Sequence, residues 1–491
     1  MTFFHPLSFA YAYRSPWFRY VGILAYIALT TGVLYGFFAD WAYDDPFITY
    51  RYARNLVNGL GFVYNPGERV LSTTTPLYVL VLAALSPLTL NLPHLSNLFG
   101  AFCLACGGLL LWSMATSSEA SVAGWAGLVL YPGFPLLVST LGSEIPFYLM
   151  LCLAALASYA RQWYPVAAIS VALATLARPD GALLALLLAV HYLIWVGKPI
   201  PWRSLAWFAA ITLPWLIFAW LYFGSPIPVT LAAKQYQGSM MISQRFAVGF
   251  QTTLAPFLQR PYFWLEAILA VTGLAFSFWL GRRYWLLWVW TVLYFAGYSL
   301  LGVSRYFWYY APLVPGFVSA VGVGVAAIRA WVISFRPPGS KAGNLLAGLI
   351  LLILFLGQSR SVRQQATTAD LRFPVYRSLG EWLAHNTPPD SYVGALEIGI
   401  IGYYANRPVV DFAGLVQPDV GPQLQGSNSY EGAAEWAIQR YHPDYLVLHD
   451  NLFPDLESGY VARYCHAVHN FPANPGQYPR SISIYVCSTG D

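Results

Sequence analysis

Charged side chains are scarce in this sequence of 491 residues, in which Asp, Glu, Lys and Arg together make up 10% of the chain. Soluble globular domains carry about 25% charged residues, so this composition excludes an ordinary soluble protein. The net charge is only +5 and the basic residues form no run, so a nucleic-acid partner is not expected. Hydrophobic residues reach 57%, and 19 Trp and 35 Tyr suit aromatic belts at two membrane interfaces. The chain is therefore predicted to be a polytopic protein of the lipid bilayer.

Cysteine is also rare, with five residues in the chain. Cys103, Cys106 and Cys152 fall in apolar runs and are interpreted as buried hydrophobic side chains. The C-x-x-C spacing of the first two has no partner pair and no nearby histidine, which argues against a metal or redox site. Cys465 and Cys487 are the two cysteines of the polar C-terminal part, and an oxidising compartment would permit the disulfide that we predict between them.

Apolar runs divide most of the chain into candidate membrane spans, which lie at 19–38, 76–90, 95–115, 121–138, 145–160, 164–177, 181–196, 204–223, 262–280, 284–302, 309–333 and 343–358. Several of them are shorter than the ~20 residues that a helix needs to cross a bilayer. Short, interrupted segments often line an internal cavity, where broken helices are tolerated. No cleavage site follows the first run, so we interpret it as a retained span.

Basic residues between the runs predict the orientation of the chain, because cytoplasmic loops are enriched in Lys and Arg. Two turns are basic, through Arg282, Arg283, Arg329, Arg336 and Lys341. They place the loop 224–261 and all residues after 358 outside the cytoplasm. Arg14 and Arg19 place the N-terminus in the cytoplasm, so the loop 39–75 also faces out. Seven runs separate these two outer loops although parity requires an even number, so one run between 76 and 223 is expected to be re-entrant, leaving about eleven spans.

The loop 39–75 concentrates charge that the next hundred residues do not match, in Asp44, Asp45, Arg51, Arg54, Glu68 and Arg69. Asp45 before Pro46 is typical of an N-cap followed by proline at the first helical position. Gly59 and Gly61 are typical of a helix end. The helix between them has its two arginines on a polar stripe, so we expect an amphipathic helix that lies on the membrane surface with both arginines on its wet face.

This loop also has the residue types of a catalytic site. Adjacent aspartates repel each other and desolvation raises a carboxyl pKa further, so one of the pair could act as a base near neutral pH. Arginines a turn away would suit a phosphate, which they bind through a bidentate fork. The alternative is structural: Asp45 only caps the helix, and the arginines only contact lipid phosphates.

Three further motifs interrupt the apolar runs. Glu144 follows Gly142-Ser143, and an acid at membrane depth is a functional candidate, although it could also be a loop residue in headgroup water. Arg178 and Asp180 are interpreted as a pair that holds a turn. Two prolines at 226 and 228 prevent a helix before Lys234, and Arg305 opens an Arg-Tyr-Phe motif ahead of two further prolines.

The composition becomes polar from about residue 360. Helical periodicity at 375–385 and 432–440 alternates with strand-like segments at 392–396, 409–412, 445–448 and 482–486, while Gly399 and Gly402 indicate turns. Residues 359–491 are therefore predicted to be a small α/β domain on the outer surface, next to a transmembrane domain of residues 1–358.

The string DDPFITYRYARNLVNGLGFVYNPGERV, followed by TTTPLY, resembles the first extracytoplasmic loop of membrane glycosyltransferases of the GT-C superfamily. It is most similar to the bacterial branch of mannosyl- and arabinofuranosyltransferases that depend on polyprenyl-phosphate sugars. The Gly-Ser-Pro-x-Pro turn with Lys234 and the Arg-Tyr-Phe motif at Arg305 and Tyr306 also resemble this family. Relatives often carry a histidine where Thr75 stands, so a metal ligand at that position is not expected.

The resemblance implies an all-α polytopic GT-C domain of about 11–12 transmembrane helices with amphipathic juxtamembrane helices, in addition to the C-terminal α/β domain. It implies a multi-pass cell-membrane enzyme that transfers a sugar, with inversion, from a polyprenyl-phosphate donor to a hydroxyl of a glycan, glycolipid or protein acceptor on the extracytoplasmic face. The alternatives are a transporter or flippase of lipid-linked sugars, or a sugar-binding scaffold without activity. No internal repeat is visible in the sequence, and this counts against a transporter.

The roles of individual residues follow from this scheme. Asp44 is the expected base, because Asp45 and not Asp44 stands at the expected N-cap of the helix. Asp45 is the second catalytic candidate. The donor phosphate is expected at Arg51, Arg54, Lys234 and Arg305. Glu68, Arg69, Glu144 and Tyr306 are expected to support the site or the acceptor. No cofactor is required by the sequence, although Asp45 and Glu68 could bind a divalent cation such as Mg²⁺, Mn²⁺ or Ca²⁺.

Overall fold

The computed structural model describes residues 16–89, 91–115, 121–197, 199–335, 341–368, 370–474 and 478–487. The part up to residue 368 is helical, with α1 Pro16–Phe38, α2 Pro46–Val57, α3 Pro76–Leu85, α4 Leu92–Met114, α5 Ser121–Leu130, α6 Pro135–Val138, α7 Ile145–Ala160, α8 Tyr164–Ala177, α9 Gly181–His191, α10 Trp202–Phe223, α11 Thr230–Ser239, α12 Phe246–Leu258, α13 Pro261–Ala275, α14 Ser277–Leu280, α15 Trp285–Leu301, α16 Val314–Ser334 and α17 Ala342–Ala366. Short 3₁₀ or π-helical turns follow or precede some of these helices, at Ser86–Leu88, Tyr192–Val196, Arg282–Tyr284 and Phe307–Leu313. The predicted all-α membrane domain is confirmed.

Within the described ranges, six helices are long and apolar enough to cross a membrane: Trp17–Phe38, Leu92–Met114, Trp202–Phe223, Arg282–Leu301, Phe307–Ser334 and Ala342–Ala366. Seven shorter apolar helices of 10–17 residues account for the other runs and add α12, which lies in the expected loop 224–261. The run 121–138 is divided into α5 and α6, because Pro132, Gly133 and Pro135 interrupt it. Arg14 and Arg336, which supported the predicted orientation, lie outside the described residues.

The most buried of the long helices is α16, which packs against α5, α13 and α17. Gly273 of α13 and Gly324 of α16 allow the two backbones to touch, because a Cβ atom at either position would collide with a carbonyl oxygen of the other helix. Such close approach through small residues is typical of helix packing in membranes. The last long helix, α17, continues to Ala366, beyond the boundary expected at residue 358.

The C-terminal part is the predicted α/β domain. It contains α18 Arg372–Asn386, α19 Gly399–Ala405, α20 Glu431–Tyr441, α21 Pro454–Leu456 and α22 Ala462–Tyr464, with helical turns at Pro418–Leu424 and Glu457–Val461. Its five strands are β1 Val393–Ala395, β2 Val409–Asp411, β3 Tyr445–His449, β4 Cys465–Phe471 and β5 Ile482–Cys487. Their order is β2-β1-β3-β5-β4, with β1 parallel to both neighbours and β5 antiparallel to both of its own.

Two parts of this domain, α19 and β4, differ from what the sequence predicted. The glycines at 399 and 402 form the helix α19 rather than turns, and the exposed strand β4 was not predicted. β4 pairs Cys465 directly with Cys487 of β5, and the two form the predicted disulfide with an S–S distance of 2.07 Å.

The helix α2 begins and ends where the sequence predicted, at Pro46 and just before Gly59, which has a φ of 75°. Its environment was predicted wrongly, because the helix is buried rather than spread on a membrane surface. It packs against α3 and against α19 of the C-terminal domain, where the ring of Phe47 meets the edge of Tyr403. The loop 39–75 is therefore the joint between the helical part and the C-terminal domain.

Candidate active site

A cavity of about 660 Å³ lies between the loop 39–75, the start of α11 and the segment around residues 298–309. We call it the first cavity. The charged side chains that line it, among the residues described, are Asp45, Glu144, Arg178, Asp180 and Lys234. Apolar side chains of α10 and α11 also line it, through Phe208, Trp215, Leu216 and Leu231. The charged lining residues are three carboxylates and two cations, which together carry one formal negative charge in excess. The cavity therefore combines apolar and charged lining.

Asp45 and Lys234 meet across this cavity. Lys234 Nζ lies 3.7 Å from Asp45 Oδ1, with 42% of the Asp45 side chain exposed and 10% of the Lys234 side chain. The ammonium group also lies 3.8 Å from the ring centroid of Tyr306. Burial alone would lower the pKa of Lys234, but Tyr306 and Asp45 more than offset this and raise it. Lys234 is therefore a fixed positive charge beside an accessible carboxylate.

The second cation, Arg178, is saturated by neighbouring groups. Its guanidinium donates to Glu144 Oε1 at 2.6 Å, to Asp180 Oδ2 at 3.0 Å and to the Tyr298 hydroxyl at 2.8 Å. The Tyr298 hydroxyl in turn donates to Asp180 Oδ2 at 2.7 Å. The turn-holding pair of Arg178 and Asp180 is present, but the sequence did not reveal that Glu144 joins it on the cavity wall. The signal that made Glu144 a functional candidate, an ionisable residue between apolar runs, applies equally to Arg178 and Asp180.

The two adjacent aspartates have different surroundings. Asp44 is the capping residue, because its carboxylate accepts the N–H groups of Gly399 at 2.9 Å and Ile400 at 2.8 Å, where α19 begins. Burial and the nearby charge of Glu397 raise the pKa of Asp44 to about 7, although the two N–H donors oppose the shift. Asp45 makes no side-chain capping bond and lines the first cavity, which Asp44 does not.

The two arginines of α2 do not line the first cavity. Arg51, 1% exposed, donates to the carbonyl oxygens of Tyr64 at 2.9 Å, Gly402 at 2.9 Å and Arg407 at 2.6 Å. Arg54 donates to the Asn406 side chain at 3.0 Å and lies over an aromatic ring of α19. The expected wet face is wrong for Arg51, because three backbone carbonyls, two of them in the C-terminal domain, occupy its guanidinium.

Glu68 and Arg69 also lie away from the first cavity. Glu68 accepts from Asn65 at 3.0 Å and from the Tyr392 hydroxyl at 3.4 Å, and Arg69 lies 4.6 Å over the Tyr222 ring. In the part of the chain that the structure describes, no three His, Cys, Asp or Glu residues are grouped so that they could hold a metal ion. Beside Asp45 the nearest cationic group is an ammonium, so the donor set present does not fit the divalent cation considered for Asp45 and Glu68.

Arg305 and Tyr306 line a separate cavity of about 350 Å³, which we call the second cavity. The ring of Tyr306 nevertheless contacts the Lys234 ammonium, which lines the first cavity. The structure therefore brings Asp45, Glu144 and Lys234 into one cavity, places Tyr306 against it, and positions Asp44, Arg51, Arg54, Glu68 and Arg69 elsewhere.

Comparison with known proteins bears on both parts of the chain. Residues 360–485 match a family model described as "Domain of unknown function (DUF8728)". No curated protein matches the chain significantly.

Solved structures match almost its whole length. ArnT from Cupriavidus metallidurans bound to undecaprenyl phosphate has a TM-score of 0.62 at 12% identity, over 94% of this chain and 97% of that one. ArnT in the apo state gives 0.60 at 13%, over 95% and 98%. The archaeal oligosaccharyltransferase AglB from Archaeoglobus fulgidus, in complex with an inhibitory peptide and a dolichol-phosphate, gives 0.58 at 14%, over 96% and 75%. The chain therefore shares the fold of ArnT and AglB, which agrees with the fold expected from the resemblance of its first loop to GT-C glycosyltransferases.

Proposed function

We propose that this protein is a glycosyltransferase that moves a sugar from a polyprenyl-phosphate donor to an acceptor hydroxyl. The observation that carries the proposal is the Asp45–Lys234 pair in a large cavity that also has apolar side chains in its lining, in a chain of GT-C fold. A carboxylate and an ammonium are the two groups that such a transfer needs, one to take a proton and one to stabilise the leaving phosphate.

Lys234 is the proposed phosphate ligand. Arg178 is held by two carboxylates and a phenol, whereas Lys234 has a single carboxylate at 3.7 Å, beyond ordinary hydrogen-bond length. The ammonium also contacts the Tyr306 side chain, but it is paired with fewer groups than the Arg178 guanidinium and so keeps donors for the oxygens of an incoming phosphate. The apolar side chains of Phe208, Trp215 and Leu216 line the same cavity and suit the first units of a polyprenyl chain. The ArnT structure with undecaprenyl phosphate and the AglB complex with a dolichol-phosphate support a lipid phosphate as donor class.

Asp45 is the proposed general base. It is accessible, makes no capping bond, and lies beside the phosphate ligand. In the reaction the acceptor oxygen bonds to the anomeric carbon while the bond from that carbon to the phosphate oxygen breaks. The acceptor proton moves to Asp45, and the phosphate leaves with the electron pair as polyprenyl phosphate. Attack opposite to the leaving group inverts the anomeric centre.

The cluster of Arg178 with Glu144 and Asp180 is assigned a positioning role. Its two carboxylates share one guanidinium and face the same cavity as Asp45, so they add negative potential where positive charge develops on the sugar ring. The reaction is assigned to the extracytoplasmic side of the cell membrane, with the C-terminal domain on that side and the N-terminus in the cytoplasm. The basic turn at Arg282 and Arg283 supports this orientation.

The decisive experiment is a transfer assay with the purified protein in nanodiscs. Radiolabelled polyprenyl-phosphate sugars are offered with candidate acceptors to the unmodified protein and to Asp45→Asn. Transfer or release of label that disappears in the variant establishes the reaction and names the donor. If no donor is consumed but a lipid-linked sugar crosses the bilayer of proteoliposomes, the protein is a transporter and the proposal is wrong.

A further inference from the structure

The second cavity differs in character from the first. Its polar lining side chains come from Gln237, Ser243, Gln244, Ser304, Tyr306 and Tyr430, and its charged one is Arg305. None of its lining residues also lines the first cavity. Tyr430 belongs to the C-terminal domain and the others to the α11–α12 segment and the residues after α15, so the cavity lies where the two domains meet. Hydroxyls, amides and two phenol rings are the groups that recognise a polyhydroxylated ligand.

Two groups in this cavity have hydrogen-bonding capacity to spare. The hydroxyl of Ser304, a residue that is 5% exposed, has no hydrogen-bond partner among the described residues, which is costly for a buried polar group. The Arg305 guanidinium forms no hydrogen bond or ion pair within the same ranges, while its methylene stem packs on the backbone at Gly249, where a Cβ atom would collide with it. The side chain is thus held at its stem with its charge unneutralised.

Tyr306 connects this cavity to the first one. Its hydroxyl donates to Gln237 Oε1 at 2.9 Å, and Gln237 is itself fixed because its amide donates to the Ala413 carbonyl at 3.1 Å. One face of the Tyr306 ring meets the Lys234 ammonium, and the ring stacks on Trp308, which lines the first cavity. Tyr306 therefore lines the second cavity and also contacts Lys234 of the Asp45–Lys234 pair.

We propose that the second cavity is the acceptor subsite, and that it binds a sugar unit that carries a carboxylate or phosphate. The hydroxyls of the sugar meet Ser304, Gln244 and Tyr430, and the anionic group pairs with Arg305. This inference rests on the proposed function, because it names the class of acceptor that receives the transferred sugar. It replaces the expectation that Arg305 holds the donor phosphate.

Binding to the full-length protein in nanodiscs tests the subsite without any turnover. Saturation-transfer NMR is recorded with methyl glucuronide, with the neutral methyl glucoside, and with octyl glucuronide. The unmodified protein should bind methyl glucuronide at least roughly ten-fold more tightly than methyl glucoside, because a hydrogen bond to a charged group is worth about that factor. Arg305→Gln should abolish the preference, and Arg305→Lys should restore part of it.

Arg245→Gln is the matched control. Arg245 is an exposed arginine of the same segment that does not line either cavity, so its loss changes the net charge equally and should leave the preference intact. Tighter binding of octyl glucuronide than of methyl glucuronide would indicate a lipid-borne acceptor, and equal binding a water-soluble one. Equal binding of charged and neutral sugars to the unmodified protein, or an unchanged preference in Arg305→Gln, would overturn the proposal.

Failure of this inference can be told apart from failure of the proposed function. Binding of polyprenyl phosphate and Asp45-dependent release of sugar from the donor do not involve Arg305. If donor binding and sugar release both persist in a protein that does not prefer the charged sugar, the proposed transferase activity is supported and the acceptor subsite is wrong. If donor is never consumed although the charged sugar binds through Arg305, the cavity stands as a binding site and the transferase is wrong.

Discussion

Replacing Asp45 by Asn should slow sugar transfer by about 10²- to 10⁴-fold, which is the usual contribution of a positioned general base. The side chain keeps its size, makes no capping bond and is 42% exposed, so the free energy of unfolding should change by less than about 0.5 kcal/mol. The same replacement at Asp44 should act in the opposite way. The amide that replaces the Asp44 carboxylate would retain one accepting oxygen, so one of the two N–H groups of α19 loses its acceptor, at a cost of about 1–3 kcal/mol. Removal of a buried charge opposes that cost.

The assay compares the two variants at saturating donor and acceptor, with rates divided by the amount of folded protein from a chromatographic peak. Asp44→Asn should keep its rate within roughly three-fold of the unmodified protein, because its carboxylate does not line the cavity. Asp45 is not the base if Asp44→Asn abolishes transfer while it remains folded, or if the transfer rate of Asp45→Asn falls by less than roughly ten-fold. Since the residues are neighbours in the chain, each variant is the control for the other.

Three more predictions concern neighbouring groups. Lys234→Met should raise the KM for the donor at least roughly ten-fold, because a charge-assisted contact to phosphate is lost. Binding of polyprenyl phosphate should weaken by a similar factor. An unchanged donor KM would exclude Lys234 as the phosphate ligand. Arg51→Met should lower the free energy of unfolding by about 3–5 kcal/mol, because three buried carbonyl groups lose their donor. The folded fraction of this variant should keep its transfer rate. Thermal unfolding in detergent measures the loss of stability, and a variant of normal stability would contradict the structural role of Arg51. Burial raises the pKa of Asp44 from 3.8 to about 7, so the folded state binds its proton more tightly than the unfolded chain, and the free energy of unfolding should fall as pH rises between these values. Asp44→Asn should flatten part of that slope in thermal unfolding measured from about pH 4 to about pH 8, and an identical slope would argue against the assignment.

Local chemistry was sufficient wherever one stretch of chain determines the outcome. Pro46 and Gly59 set the two ends of α2, because a proline without an N–H suits the first turn and a glycine suits the positive φ that follows the last. The low charge and the apolar runs predicted a helical membrane domain. The isolated pair Cys465 and Cys487 could be assigned as a disulfide because the polar part of the chain contains no other cysteine.

Partners that are remote in sequence could not be predicted in this way. The interfacial helix was inferred from the polar stripe of α2, yet Arg51 is buried because its acceptors, Gly402 and Arg407, are 351 and 356 residues away. A polar stripe indicates that a helix face needs hydrogen-bonding partners, and it does not say whether water or another domain supplies them. Periodicity likewise missed the strand β4, which is largely exposed and lacks a buried alternate face.

The sequence by itself was sufficient to predict a membrane protein with the GT-C fold, and it singled out two adjacent aspartates as candidate site residues. Only the tertiary structure distinguished the surroundings of these two residues. Asp44 turns toward the N-terminus of α19, 355 residues further along the chain, and Asp45 turns toward Lys234 in the first cavity. Neighbouring side chains leave the backbone in different directions, so their surroundings depend on what the rest of the chain packs against each of them. That packing made one aspartate a cap and left the other beside a cation, on the lining of the first cavity.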